Sequence, residues 1–141
     1  MIDLNIGKWL KPLLAGVKLV VEQIGTRIGP APVRLAETFP AIRYRTLATE
    51  FPAHITGLTG HVKPRVRVTV WDTDNDRSLS VCSAIVEQFK DSVPVQDKSG
   101  DGFKLGFVTP VDAGQEFVDL ADGSQMELYG NYVDLSISYA K

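Results

Sequence analysis

From Pro64 to Asp72 the chain reads PRVRVTVWD, with Val66, Val68 and Val70 at every second position and Arg65, Arg67, Thr69 and Trp71 between them. A period of two is that of a β-strand, whose successive side chains leave opposite faces of a sheet. One face of this strand is apolar and the other carries two arginines and a tryptophan, so the sheet needs a covering layer on the valine side. A weaker alternation precedes it, with Ile42, Tyr44 and Thr46 set against Arg43, Arg45 and Leu47. A third closes the chain, with Val133, Leu135, Ile137 and Tyr139 set against Tyr132, Asp134, Ser136 and Ser138.

The covering layer is legible in two places. Leu79, Cys82, Ile85, Val86 and Phe89 recur at spacings of three and four, which predicts a helix over 78–91, entered through the capping turn Asp72, Asp74, Asn75 and Asp76. Near the N-terminus Leu4, Ile6, Trp9, Leu10, Leu13, Leu14 and Val17 form another helical stripe, with Asp3 available as its cap and Pro12 marking a kink or a restart. A short helical turn over 17–24, ended by Gly25, follows. Pro30, Pro32 and Pro40 suit an extended connection, and the segment 50–63 suits a loop or a protruding hairpin. Beyond the third helical segment, 92–102 reads as an exposed loop, Phe103 to Phe107 as a strand, Asp112 to Gly114 as a turn and Glu116 to Leu120 as a further strand. Another turn spans 121–124. Met126 to Tyr129 either extends the last strand or pairs with it, with Gly130 at a bulge or bend. The order of helix, strands, helix and strands predicts an α+β fold: a mainly antiparallel sheet with helices packed on one face, in a single domain over residues 1–141.

Composition narrows the function classes. Hydrophobic residues make up 44% and charged residues 23%, values that exclude a disordered, collagen-like or membrane-spanning chain. A formal net charge of -2 excludes a strongly basic nucleic-acid binder. Cys82 is alone, which rules out an internal disulfide and a CxxC motif and points to a reducing, cytoplasmic site of folding. At the N-terminus Asp3 stands where a signal peptide is basic, and Lys8, Lys11 and Lys18 interrupt the apolar runs.

Motifs that carry chemistry are missing. DTDND at 72–76 opens like a calcium loop, but Arg77 stands where the loop needs glycine and Ser83 where it needs a bidentate glutamate, so we read a helix-capping turn. His54 and His61 have no ligand partner at a recognised spacing and read as exposed or interface histidines. No G-x-S-x-G elbow or phosphate loop occurs, and Cys82 falls on the apolar stripe of its helix. No enzymatic activity, metal site or cofactor is therefore expected.

The arginines carry more information. Arg43 and Arg45 share one strand face, as do Arg65 and Arg67, so pairing of the two strands gathers four guanidiniums on the uncovered side of the sheet. Such a cluster needs carboxylates, and Asp134 on the same face of the last strand is one candidate. Two readings stand: solvated arginines that guard sheet edges, or a subunit interface or surface near DNA in which Trp71 is buried by a neighbour. The interface candidates are Arg43, Arg45, Arg65, Arg67, Trp71 and Asp134. If they are surface residues, replacing Arg65 and Arg67 by glutamate changes stability by only about 1 kcal/mol.

The segment order IGTRIGP, FPAIRY, HITGLTG, VRVTVWD, the helix SLSVCSAIVEQF and the closing strand YVDLSISY resembles the tail-completion, or tail-terminator, proteins of long-tailed bacteriophages and related particles. The resemblance implies a non-enzymatic virion protein, folded and assembled in the bacterial host cytoplasm. In that family a homo-oligomeric ring, typically a hexamer, sits on the neck end of the tail tube. It stops tube polymerisation, meets the head-tail connector or stopper on its other side, and lets DNA pass through its lumen without sequence-specific binding or membrane contact. A connector stopper or tail tube subunit is the alternative within the same particle. A small-molecule-binding domain, marked by a deep enclosed pocket, is the alternative outside it.

Overall fold

A computed structural model describes residues 6–33, 38–51, 53–54, 57–58, 61–91, 93–94, 104–116 and 128–140. Three helices occur among them: α1 (Gly7–Leu14), α2 (Lys18–Gln23) and α3 (Asn75–Phe89). The strands are β1 (Ile28–Pro30), β2 (Ala41–Glu50), β3 (Ala53–His54), β4 (Gly57–Leu58), β5 (His61–Asp72), β6 (Val93–Pro94), β7 (Lys104–Glu116) and β8 (Tyr129–Ala140). Six strands form one sheet in the order β1-β2-β5-β8-β7-β6, and β3 pairs with β4 in a separate two-stranded ladder. Every pairing in the large sheet is antiparallel except β1 with β2. The α+β expectation holds.

The valine side of β5 builds the core. Val66, Val68 and Val70 are fully buried beside Val133, Leu135 and Ile137 of β8 and Ile42 of β2, and Leu10, Leu14, Val20, Val81, Ile85 and Phe89 from the helices close over them. The spacing of three and four in α3 is what brings Val81, Cys82, Ile85 and Phe89 to this face. Asp74 caps α3, its carboxylate accepting from the Asp76 and Arg77 amides.

Several details differ from the sequence reading. The first helix starts at Gly7 without a side-chain cap, and Asp3 lies outside the described residues. Pro12 sits inside α1, and the chain breaks after Leu14 instead. The proline-rich connection contains β1, an edge strand, and Arg27 fastens it by donating to the Pro40 carbonyl at 2.9 Å and the Gln23 carbonyl at 2.7 Å. In the segment after Glu50 the hairpin, one of the two readings given for it, is what forms, β3 with β4, but β5 begins at His61 and not at Pro64. No turn separates two strands at Asp112 to Gly114. There β7 runs on to Glu116, and the register against β8 slips between Pro110 and Asp112. That β-bulge shifts the side-chain parity, so a strict period of two breaks where the strand does not. Gly130 is a regular ladder position of β8, between Trp71 and Glu116. The further strand and turn expected over 117–124 lie outside the described residues, as does most of the loop 92–102.

Candidate subunit interface

The uncovered face of the sheet carries the arginines, and the register sets them in rows. Arg45 of β2 lies opposite Arg67 of β5, Arg67 opposite Asp134 of β8, and Asp134 opposite Asp112 of β7. Arg67 grips Asp134 with both prongs, Nε to Oδ1 at 2.9 Å and Nη2 to Oδ2 at 3.2 Å. The same guanidinium donates to Glu116 at 3.2 Å and stacks 3.8 Å above the centre of the Tyr132 ring. Arg65 reaches Asp134 at 3.3 Å and Asp112 at 3.5 Å. Glu116 also accepts from Arg45 at 3.1 Å and from the Thr69 hydroxyl at 2.9 Å.

Asp134 is fully buried, and a lone carboxylate there is costly; two guanidiniums make its burial tolerable. The same contact acts on Arg67. Its hydrogen bond to Asp134 holds the guanidinium's pKa above its ordinary value against the opposing effect of burial. Arg43 instead donates to backbone, to the Ile42 carbonyl at 2.8 Å.

The contact between Arg45 and Glu116 also reports shape. Three strand spacings of about 4.8 Å separate β2 from β7, roughly 14 Å on a flat sheet, and the pair runs obliquely across it. Side chains meet over that span because the sheet coils and makes the polar face concave. A hollow of about 370 Å³ lies on this face, lined by Arg43, Arg45, Trp71 and Glu116 together with Ala31 and Pro32. It is open, with an indole wall and arginine rims.

The sequence candidates thus come together on one face with unequal exposure. The Arg45 and Arg65 side chains are 54% and 46% exposed, that of Arg67 is 19% exposed, and Trp71 and Asp134 are buried within the chain. Trp71 does have a neighbour over it, but an internal one: a Cβ on Gly130 would stand 2.5 Å from the indole. The acids Asp112 and Glu116 complete the network. They escape the sequence reading because the bulge disguises β7 as a turn and two strands. The network also corrects the expected tolerance of Arg65 and Arg67 to charge reversal, since Arg67 is the chief partner of a buried carboxylate.

At the other end of β5 a second polar group ties the sheet to α3. Asp72 is buried and accepts from Arg77 Nη2 at 2.7 Å and also from Arg77 Nε. Ser78 donates to the Val70 carbonyl at 2.7 Å, and Cys82 donates to the Asn131 carbonyl at 3.2 Å. Burial pushes the Cys82 thiol up to about 12, which leaves it protonated and unreactive near neutrality. Among the described residues, Asp74 is occupied by its capping role and no group of acidic, histidine or cysteine side chains is arranged to hold a metal ion. The His54 and His61 side chains lie outside what is described. Among the described residues no helix is long and apolar enough to cross a membrane.

No protein-family model matches the sequence, and no curated protein matches it. Among solved structures the chain is similar to one from the "Virion of native gene transfer agent (GTA) particle", with a TM-score of 0.62 and 11% sequence identity over 99% of this chain and 100% of that one. At this identity the likeness is one of fold, and it runs from end to end.

Proposed function

We propose that this protein is a structural component of a phage-like particle, and that it closes the neck end of the tail tube as a ring. The observation that carries the reading is the end-to-end fold likeness to a chain of a gene transfer agent virion. It agrees with the tail-terminator resemblance drawn from the order of sequence segments. The chemistry of the described residues supports a structural role. Arg45, Arg65 and Arg67 are engaged by Asp112, Glu116 and Asp134, and the thiol is packed and protonated. In this reading about six copies form the ring, the tube meets one side, the connector or stopper meets the other, and DNA crosses the lumen. The candidates Arg43, Arg45 and Arg65 keep exposed or half-buried positions from which they can act between subunits, whereas Arg67, Trp71 and Asp134 shape that surface from within.

The test is to delete the gene from a producing strain and image the particles. Tails of uncontrolled length beside filled, unjoined heads are expected. Normal tails without heads would move the assignment to a stopper, absent tails would move it to a tube subunit, and normal particles would remove the virion reading.

A further inference from the structure

The polar face of the large sheet carries its charges in two layers. Asp134 is fully buried and Glu116 is 21% exposed, while the Arg45 and Arg65 side chains over them are 54% and 46% exposed. Glu116 accepts from Arg45, Arg67 and Thr69, and Asp134 accepts from Arg65 and Arg67, so both carboxylates are occupied. The two outer guanidiniums are not. Arg45 uses only Nη2, on Glu116, and Arg65 only Nη2, on Asp134 and Asp112. Among the described residues nothing accepts from the Nε and Nη1 groups of either. A guanidinium holds five N–H donors in a planar fork, and the unused part of that fork matches a carboxylate.

The register sets these groups in line with the hollow. Along β2 and β5 successive rows of the face are Arg43 with Thr69, Arg45 with Arg67, and then Arg65. Arg45 and Arg65 are diagonal neighbours, about 7–8 Å apart on a regular antiparallel pair. The hollow of about 370 Å³ opens over the Arg43 and Thr69 row, with exposed Ala31 and Pro32 and the Trp71 indole as its apolar wall. An extended chain repeats its side chains on one face every second residue, at a spacing of about 7 Å. A segment with an apolar residue and then acids at the second and fourth positions after it therefore meets the hollow, Arg45 and Arg65 in turn.

We infer that this face is the docking surface for an extended acidic segment of a different protein, with an apolar side chain in the hollow and two carboxylates on Arg45 and Arg65. A second copy does not supply that segment. Read in either direction, this chain has an apolar residue and two acids at alternate positions only once, at Val70, Asp72 and Asp74. There Val70 and Asp72 are buried and Asp74 caps α3. A phosphate backbone offers nothing apolar for the hollow, and the net charge of -2 opposes a polyanion. Asp112, 53% exposed and 3.5 Å from Arg65, competes for the second carboxylate position in the free protein. The surface is independent of the ring reading.

The probe is the end-blocked peptide Phe-Ser-Glu-Ser-Glu, titrated into the full chain and followed by tryptophan fluorescence and by amide shifts at Ala31, Arg45 and Thr69. Saturable binding below about 1 mM, weakening with salt, is expected. The peptide Phe-Ser-Gln-Ser-Gln should bind the wild-type chain roughly tenfold or more weakly, and Arg45→Gln should weaken the glutamate peptide by as much. Asp112→Asn keeps the Oδ1 that accepts from the Ala113 N–H and removes the competing charge, so it should bind the glutamate peptide several-fold more tightly. A damaged fold does not produce that gain. No saturation by roughly 1 mM, equal binding of the two peptides, or unchanged affinity in either variant overturns the inference. A short DNA duplex that binds more tightly than the peptide and is lost in Arg45→Gln overturns it in favour of nucleic acid. Self-association of the wild-type chain that Arg45→Gln abolishes overturns it in favour of a second copy.

Discussion

Toward its C-terminal end β5 is buried on both faces, by different means. Val66, Val68 and Val70 have no exposed surface, and on the opposite side Thr69 and Trp71 are 3% and 5% exposed, with Arg67 beside them. On the helix side the stabilisation is apolar burial, which is nondirectional and tolerates swaps that conserve volume. On the concave side it comes from directed bonds to Asp134 and Glu116, where a missing partner leaves a charge stranded. Depth of burial alone therefore does not foretell what a substitution does.

The largest test of that contrast is Arg65→Glu with Arg67→Glu. It removes both guanidiniums from the buried Asp134 and sets two carboxylates beside it, so a destabilisation of at least about 3–5 kcal/mol is expected. That is much of the roughly 5–15 kcal/mol holding a typical domain folded. Replacing the pair together, Arg67→Met with Asp134→Leu, should preserve most of the stability, because no buried charge is left unpaired. Leu135→Ala, one residue further along β8 on the helix side, should cost about 2–5 kcal/mol through an apolar cavity and have no apolar double replacement that rescues it. Urea titrations of the three variants compare the faces directly. A double glutamate variant as stable as the wild type would show that the arginine network is solvated.

A smaller effect is expected at Gly130, where the polar face needs space and not charge. The nearest atom of the Trp71 ring would stand 2.5 Å from an added Cβ, and the ring is buried, so it has little freedom to yield. Gly130→Ala should cost about 1–3 kcal/mol by overpacking. Trp71→Leu in the same chain should recover part of that loss in thermal melts. Equal melting of Gly130→Ala and the wild-type chain would mean that the indole is not held against β8.

What the sequence makes legible follows the same division. Alternation in β5, β8 and the first half of β2 names the core and the arginine face, because strict periodicity survives where a strand pairs without interruption, as β2 does with β5 up to the slip between Thr46 and Ala48. The helical spacing of Leu79 to Phe89 locates α3 to within a few residues. Asp134 falls opposite the arginines as its alternation implies, since β8 keeps its parity through the central rows. The acids of β7 are lost to the bulge at Pro110 to Asp112, which is a property of the pairing and leaves no composition signature. Trp71 reads as awaiting a partner, and nothing local in sequence says that Gly130, 59 positions later, makes room for it. Exposure is the other hidden quantity. Four arginines look alike in the chain, yet sheet coiling makes Arg67 a structural pivot and leaves Arg45 at the surface.

The smallest expected effect compares the faces through acid. Asp72, at the end of β5 beside α3, is the helix-side counterpart of Asp134, with a single arginine that is itself 39% exposed. Burial by itself would raise its pKa, but the Arg77 guanidinium and the Asp74 and Thr73 amides outweigh burial and hold the carboxyl below its ordinary value. The unfolded chain therefore takes up this proton first as pH falls. The stability contributed by Asp72 is complete above its unfolded value of about 3.9 and is lost as pH drops through the lower folded value. Solvent screening of Arg77 keeps the contribution modest. Asp72→Asn removes the titrating group, so its stability should fall less steeply than the wild type's between about pH 4 and pH 2, with little difference in slope above about pH 5. Urea midpoints measured across that range give the two slopes. Parallel acid limbs would show that Asp72 does not carry the acid sensitivity.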